Sequence, residues 1–116
     1  MTATGEREDV LDDQARILII DDDRGMRKTL ALILRRKGCS VETASSGKEG
    51  IEQAQRGPFD VVLLDIKLPD AQGVDLLEPL LDLHPEAGVI VITGHASVKT
   101  AIRALNDGAA AYVTKP

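Results

Sequence analysis

The fold of this chain is constrained most strongly by polar residues that directly follow short apolar runs. Residues 17–20 are apolar and are followed by Asp21, Asp22 and Asp23, and the apolar run 61–64 is followed by Asp65. A last run leads into Lys115 and Pro116. Because the carboxyl ends of parallel strands share one edge of an open sheet, where ligands bind, we expect these side chains to converge. The convergence predicts a site for a divalent cation and a phosphoryl group.

Short apolar runs alternate with segments of helical periodicity. We predict strands at residues 17–20, 41–44, 61–64, 89–92 and 110–114, with a helix in each interval. The second helix starts with the Ser46-x-x-Glu49 spacing of a capping box. Gly38 and Gly108 stand where the first and fourth helices should end. Pro79 falls within the third helix and should kink or shorten it.

The alternation predicts an α/β fold. Five strands joined by four helices, with right-handed crossovers, favour a flavodoxin-like doubly wound parallel sheet of order 2-1-3-4-5. Strands one and three then flank the switch point, which places Asp21 to Asp23 beside Asp65. Residues 1–15 carry many charges and few apolar side chains, so we predict a flexible acidic leader there and a domain over residues 16–116.

Composition narrows the class of protein. A chain of 116 residues with 43% hydrophobic residues fits one small globular domain. Its 14 basic and 19 acidic residues give a net charge of −5, which disfavours direct contact with nucleic acid. The single cysteine, Cys39, excludes an internal disulfide, and no apolar run approaches transmembrane length. We therefore expect a cytoplasmic protein without a membrane partner.

The acidic residues are the candidate ligands for Mg²⁺. This ion prefers oxygen ligands and typically takes one or two carboxylates, which Asp21, Asp22 and Asp65 could provide. Without a cation the like charges repel and destabilise the fold. The alternative is that Asp23 merely caps the first helix and its neighbours are solvated.

The remaining candidates carry phosphoryl chemistry. Asp65 is the candidate nucleophile, Lys115 the ammonium that neutralises transferring oxygens, and Thr93 a hydroxyl donor. Each has an ordinary alternative: a turn residue, a surface lysine and a β-branched strand residue. Tyr112, the only tyrosine, is either a packing residue or one whose position reports on the site.

Four motifs together resemble the receiver domain of two-component response regulators over residues 16–116. They are Ile-Leu-Ile-Ile-Asp21-Asp22-Asp23, Leu-Leu-Asp65-Ile-Lys-Leu-Pro69, Ile-Thr93-Gly94-His95 and Tyr112-Val-Thr-Lys115-Pro116. The resemblance implies that Asp65 is the phosphoacceptor and that Asp21, Asp22, Asp65 and the main-chain carbonyl of Lys67 hold Mg²⁺. It also implies that Thr93 and Lys115 contact the phosphoryl group.

The resemblance further implies a switch and its partners. Thr93 and Tyr112 would move together on phosphorylation and reshape the face formed by helix four and strand five. A sensor histidine kinase would supply the phosphoryl group, and a downstream effector would respond to the change in the control of transcription. Residues 94–98 and 100–102 look similar to receivers of nitrogen-type sigma-factor activators and of hybrid kinases. Such a domain catalyses only its own phosphorylation and slow dephosphorylation.

Two other functions are alternatives to a phosphorylated receiver. A magnesium-dependent aspartyl phosphohydrolase usually has a second acid two residues after the nucleophile, and Lys67 occupies that position. A non-phosphorylated pseudo-receiver, acting as an interaction module, would normally lack Asp22, Asp65 or Lys115, and all three are present. Both functions therefore fit the sequence less well than a phosphorylated receiver.

The family's fifth helix, which normally follows Lys-Pro, is absent from this chain. We therefore expect one flank of the sheet to be uncovered near strand five and helix four. The expected cover is a second copy of the protein, through self-association, or the leader, unless the chain is a truncated one.

Overall fold

A computed structural model describes residues 15–115 of the chain. Pro116 and residues 1–14, which make up nearly all of the predicted leader, lie outside the described residues. The strands are β1 (Arg16–Ile20), β2 (Ser40–Ala44), β3 (Val61–Leu64), β4 (Gly88–Thr93) and β5 (Ala111–Thr114). The helices are α1 (Arg24–Arg36), α2 (Gly47–Arg56), α3 (Leu77–Leu83) and α4 (Val98–Asn106), with a 3₁₀ segment, Gly73–Leu76, directly before α3. Among these helices none has the length and apolar character needed to cross a membrane.

The five strands form one parallel sheet in the order β2-β1-β3-β4-β5, which confirms the predicted fold class. Strand β1 lies at the switch point and pairs with β2 on one side and β3 on the other. Ile20, the last residue of β1, lies opposite both Ala44 and Leu64. Asp21 and Asp65, which each follow one of these paired residues, are therefore neighbours across the sheet edge.

Both faces of the sheet are covered, which explains why the central strands are apolar without interruption. Side chains alternate along each strand. Leu18, Ile20 and Leu64 point to one face, where they pack with Ala54 of α2 and Leu80 of α3. The opposite face buries Ile17, Ile19 and Val41 against Ala31 of α1. The two apolar layers hold the strands in the register that aligns their polar ends.

Side-chain caps start three of the helices, two of them at the predicted residues Asp23 and Ser46. The Asp23 carboxylate accepts a hydrogen bond from the Met26 amide and caps α1, and Ser97 caps α4 through the Thr100 amide. Gly38 and Gly108 follow α1 and α4 closely with φ values of 95° and 107°. These left-handed conformations favour glycine, so the predicted helix ends are confirmed.

The capping box of α2 differs from its predicted form in one bond. Ser46 caps the helix by accepting from the Glu49 amide at 3.1 Å, as expected. The Glu49 carboxylate, however, accepts from the amide and hydroxyl of Ser45, at 2.7 and 3.0 Å. Because these bonds stabilise the charged carboxylate, they lower the pKa of Glu49.

The third helix is short and is preceded by a 3₁₀ turn. Pro79 is the third residue of α3, in the first turn, where a missing amide hydrogen breaks no intrahelical bond. Only seven residues, Leu77–Leu83, are α-helical. The helix is therefore short, as expected, but Pro79 lies where it disrupts no intrahelical hydrogen bond.

The loop between β3 and α3 is held by two tight contacts. A Cβ atom on Gly73 would overlap the main-chain carbonyl of Asp65, so only glycine allows the chain to pass so close. The Asp70 carboxylate accepts hydrogen bonds from the amides of Gly47 and Lys48, at 2.7 and 2.9 Å, and so caps the first turn of α2 from outside that helix. These contacts fix the path of the chain directly after Asp65.

Apolar side chains remain exposed on α4 and β5. Val98, Ile102 and Leu105 of α4 are 78, 55 and 52% exposed, and Val113 of β5 is 46% exposed. An uncovered apolar region near α4 and β5 was expected. Because Val113 lies in register with Ile92, it belongs to the α1 face of the sheet.

We expect the Asp70→Asn substitution to lower the melting temperature at neutral pH. Hydrogen bonds from the Lys48 and Gly47 amides favour the carboxylate and hold the pKa of Asp70 below its usual value near 3.8. A depressed pKa contributes stability that is complete above the usual pKa and is lost as the pH falls through the folded-state pKa. The difference between wild type and variant should therefore shrink in acid.

Thermal unfolding followed by circular dichroism at neutral and acidic pH measures this difference. Glu86→Gln removes one charge from an exposed loop position and is the matched control. A loss of stability with Asp70→Asn that is the same at both pH values, or one matched by Glu86→Gln, would contradict the expectation.

Candidate functional site

A cleft of about 450 Å³ opens at the carboxyl edge of the sheet. It lies where the segments after β1, β3, β4 and β5 meet. The ionisable side chains that line it are those of Asp22, Asp23, Asp65, Lys67, His95 and Lys115. Residues up to 93 positions apart in the sequence thus line one cavity.

Three carboxylates converge beside this cleft. One oxygen from each of Asp21, Asp22 and Asp65 lies within 4.8 Å of the other two. Asp21 and Asp65 are only 4 and 5% exposed, whereas Asp22 is exposed. The Oδ1 atom of Asp65 is buried and has no hydrogen-bond partner among the described residues. Because a buried carboxylate oxygen without a partner is costly, this donor set fits a hard divalent cation.

Lys115 supplies the positive charge of the site. Its Nζ atom lies 2.9 Å from Oδ2 of Asp21 and 3.1 Å from Oδ2 of Asp65. The Lys115 amide also donates to the carbonyl of Thr93, which extends the β4–β5 ladder to the cleft. Burial opposes the charged ammonium, but the hydrogen bonds and charges of the two carboxylates outweigh it and raise the pKa of Lys115.

Asp21 is the most constrained of the three acids. Burial raises its pKa, and the charge of Asp65 acts in the same direction, against the hydrogen bonds from Lys115 and the Asp23 amide. The Asp23 amide donates to Oδ1 of Asp21 at 2.9 Å, and the Arg27 guanidinium donates to its carbonyl at 2.8 Å. These bonds fix both the side chain and the main chain at the end of β1.

Asp23 has two roles in the structure. It caps α1, as the ordinary alternative predicted, and it also lines the cleft. The other half of that alternative holds for Asp22, which is exposed, but is wrong for Asp21, which is buried and paired with Lys115. The acidic run therefore combines a helix cap with part of the carboxylate cluster.

Thr93 is completely buried at the end of β4. Its hydroxyl accepts a hydrogen bond from the His95 amide at 3.0 Å, which leaves the hydroxyl hydrogen free to be donated. The next two residues, Gly94 and His95, line the cleft. Thr93 thus lies behind the wall of the cleft, with its hydroxyl held by the loop that forms this wall.

Tyr112 connects β5 to the start of α4. Its ring is half-buried and packs against the main core, and its hydroxyl lies 2.6 Å from the Thr100 hydroxyl. The Ser97 amide donates to the same Tyr112 oxygen at 3.3 Å. Tyr112 is therefore both a packing residue and a polar contact of the α4 cap.

The structure brings together the acids and the lysine that the sequence predicted to converge. Lys67 lines the same cleft with an exposed side chain, whereas Thr93 and Tyr112 are not among the residues that line it. Sequence reasoning missed Arg27 and Thr100. Arg27 carried no local signal, and Thr100 could have been suspected only from the Ser97-x-x-Thr100 spacing at a helix start.

The site can bind a cation and an anion side by side. The carboxylates provide oxygen ligands, and the Lys115 ammonium can neutralise an anionic oxygen next to Asp65. A carboxylate such as that of Asp65 can act as a nucleophile toward an electrophilic phosphorus atom. This chemistry agrees with the resemblance found in the sequence.

Comparison with known proteins supports the same family. The family model of the response regulator receiver domain matches residues 17–116. The response regulator protein PilR of Pseudomonas aeruginosa is 40% identical over 101 residues, which cover 87% of this chain and 23% of PilR. The transcriptional regulatory protein ZraR of Escherichia coli is 36% identical over 104 residues, covering 90% of this chain and 24% of ZraR.

A solved structure shows the same fold with a modified site. It is a response regulator protein from Burkholderia pseudomallei with a phosphorylated aspartic acid, a calcium ion and citrate. The two are 38% identical with a TM-score of 0.86, over 89% of this chain and 61% of the other. This chain spans about a quarter of the length of PilR and ZraR. On its sequence, fold and relatives, the chain belongs to the response regulator receiver domain family of two-component signalling.

Proposed function

We propose that this domain is a phosphorylation switch that accepts a phosphoryl group on Asp65. The observation that carries the proposal is the buried Asp65 carboxylate, with Oδ2 bound to Lys115 and Oδ1 without a partner among the described residues. A carboxylate oxygen of Asp65 attacks the phosphorus atom of the donor. The bond from phosphorus to the leaving group breaks, and the leaving group keeps its electron pair, so that an acyl phosphate forms.

The other site residues prepare this transfer. Asp21 holds Lys115 beside Asp65, and Lys115 neutralises one phosphoryl oxygen. Asp21, Asp22, Asp65 and the carbonyl of Lys67 would hold Mg²⁺, which supplies further neutralisation of phosphoryl oxygens when bound. The calcium ion and phosphorylated aspartic acid of the Burkholderia relative support a metal site and phosphorylation of Asp65 in this domain. Enzymatic turnover of external substrates is not part of the proposal.

The proposed donor is a sensor histidine kinase of the cytoplasm, and the proposed reader is an effector domain or protein. Receiver domains interact with both classes of partner. The similarity to PilR and ZraR favours an output in transcription control. The exposed apolar side chains of α4 and Val113 of β5 are the proposed surface for self-association.

Asp65→Asn should abolish phosphorylation. The wild-type protein, incubated with acetyl phosphate and Mg²⁺, should gain the mass of one phosphoryl group by intact-mass spectrometry. The amide of the variant keeps the size of the side chain but is a far weaker nucleophile. Asp82→Asn changes an exposed aspartate of α3 and should leave the adduct unchanged.

Other outcomes of this experiment separate the alternatives. Continuous release of phosphate from simple monoesters would favour an aspartyl phosphohydrolase. No adduct on wild-type protein, in the presence of Mg²⁺, would favour a non-phosphorylated interaction module.

Mg²⁺ should raise the melting temperature of the wild-type protein. A ligand that binds only the folded state adds about 2.7 kcal/mol to the free energy of unfolding at about a hundredfold excess over its Kd. Asp22→Asn removes one charge from the carboxylate cluster, so it should raise stability in chelator and reduce the gain from Mg²⁺. Calorimetry with Mg²⁺ and with chelator measures both effects, and Asp82→Asn is the control.

A melting temperature that does not respond to Mg²⁺ in the wild-type protein is the result that contradicts a metal site. The same conclusion follows if Asp22→Asn and Asp82→Asn respond equally to the ion.

Thr93 and Tyr112 are proposed to carry the signal from the cleft to α4. The Thr93 hydroxyl contacts the loop at His95, and the Tyr112 hydroxyl contacts Ser97 and Thr100 at the next helix start. A Thr93 hydroxyl drawn toward a phosphoryl oxygen would release the His95 amide. The adjoining segment would then move, and the polar contacts of Tyr112 with α4 would change.

Thr93→Ala should uncouple phosphorylation from the change at α4. In ¹H–¹⁵N spectra, acetyl phosphate should shift the amide signals of Ser97, Thr100 and Tyr112 in wild-type protein. In Thr93→Ala these shifts should shrink although mass spectrometry still detects the adduct. Thr114→Ala, at an exposed position of β5, should behave as wild type. Equal shifts in the phosphorylated Thr93→Ala protein would contradict the proposed coupling.

A further inference from the structure

A second cleft, rich in cations, lies beside α1. It has a volume of about 470 Å³ and opens between α1 and the edge strand β2. Four of its lining side chains are cationic, and two smaller residues complete its floor; they are Arg24, Arg27, Lys28, Arg35, Ala31 and Thr43. We call this the basic cleft. This local concentration of positive charge contrasts with the net charge of −5 of the whole chain.

The cations of the basic cleft are not neutralised within the described part of the chain. No ion pair between residues 15 and 115 includes Arg24, Arg27, Lys28 or Arg35. Arg27 and Arg35 donate instead to uncharged main-chain carbonyls, at 2.8 and 2.9 Å. These bonds hold two guanidinium groups in place while leaving their charge uncompensated. Such a surface is suited to bind an extended anionic segment.

Arg27 has one longer-range interaction with an acid. Its charge lowers the pKa of Glu49, although the main causes of that shift are the hydrogen bonds from Ser45. The Glu49 carboxylate is therefore engaged elsewhere and does not line the basic cleft.

The leader carries the complementary charge. Within residues 1–14 five acidic side chains face a single arginine, Arg7, for a net charge of −4. The five are Glu6, Glu8, Asp9, Asp12 and Asp13. Val10 and Leu11 lie between them, and the basic cleft has an apolar wall at Leu32, which is 52% exposed. Charge and apolar patterning thus match on the two sides.

The connection between the leader and the sheet lies close to the basic cleft. The carbonyl of Ala15 accepts a hydrogen bond from Ser40, the first residue of β2, at 2.9 Å. Fourteen extended residues span up to about 46–50 Å, whereas the 13 residues of α1 cover about 20 Å. The leader therefore has the length to run back along the whole of α1.

We propose that residues 6–13 of the leader dock into the basic cleft of the same chain. The carboxylates lie along the four cations, and Val10 and Leu11 contact Leu32. The docked segment covers the outer face of α1 beside the acidic site, since Arg24 directly follows Asp23. It thereby competes with any other acidic surface for this helix. The proposal is independent of phosphorylation on Asp65.

Paramagnetic relaxation in the full chain tests the proposal. A nitroxide is attached at Thr4→Cys in a protein that also carries Cys39→Ser, and amide signal intensities are compared with the reduced label. At about 0.1 M salt, residues 24–35 and Thr43 should lose intensity. At about 1 M salt, where the Debye length falls from about 10 to about 3 Å, the signals should recover.

Matched charge changes complete the test. Arg24→Gln with Lys28→Gln should remove the loss of intensity, whereas Lys48→Gln with Lys99→Gln, at exposed positions outside the cleft, should retain it. Intensity loss at the exposed apolar residues of α4 instead, no loss at any site, or a loss insensitive to salt and to Arg24→Gln with Lys28→Gln would overturn the proposal.

A second measurement needs no label and therefore does not depend on the folding of the Cys39→Ser protein. In the otherwise wild-type chain, the two glutamates of the leader are replaced by glutamine and its three aspartates by asparagine. The chemical shifts of the backbone amides of α1 and Thr43 should then change. Unchanged shifts in this segment would overturn the proposal in the same way.

Discussion

The contact on which the site depends is the pairing of the Lys115 ammonium with Asp21 and Asp65. Two buried carboxylates this close repel each other, and their burial alone is costly. Lys115 offsets this cost through Nζ contacts at 2.9 and 3.1 Å. One oxygen of Asp65 still lacks a partner among residues 15–115. One ammonium between two carboxylates leaves the site with a net negative charge.

The arrangement of the strands explains how three distant residues reach this contact. Ile20 pairs with both Ala44 and Leu64, so the acids that follow β1 and β3 are neighbours. Lys115 follows β5, two strands away from β3, and its long side chain spans the remaining distance over β4. Strand β4 ends at Thr93, which is buried, and Gly94 directly after it lines the cleft. Four of the five strands, β1, β3, β4 and β5, therefore end at residues of the site or directly before them.

Beyond the cleft, polar contacts link the site to two helices. The Arg27 guanidinium and the Asp23 cap connect the acidic run to α1. The Thr93 hydroxyl connects the β4 loop to the sheet, and Tyr112 connects β5 to the cap of α4. These hydrogen bonds connect residues near the cleft to both α1 and α4. The basic cleft gives α1 a cationic surface, distinct from the exposed apolar surface of α4.

The sequence by itself determined the fold class and the members of the acidic cluster. Uninterrupted apolar strands, glycines after α1 and α4, and acids at two strand ends are local signals, and the structure agrees with all of them. Contacts between distant residues were decided only by the tertiary structure. Asp70 caps α2 across 23 positions, and Arg27 binds the Asp21 carbonyl instead of a carboxylate. The hydroxyl of Tyr112 bonds to Thr100. No sequence period encodes such contacts, because they depend on how separate elements pack, and for the same reason the buried, unpartnered oxygen of Asp65 could be recognised only in three dimensions.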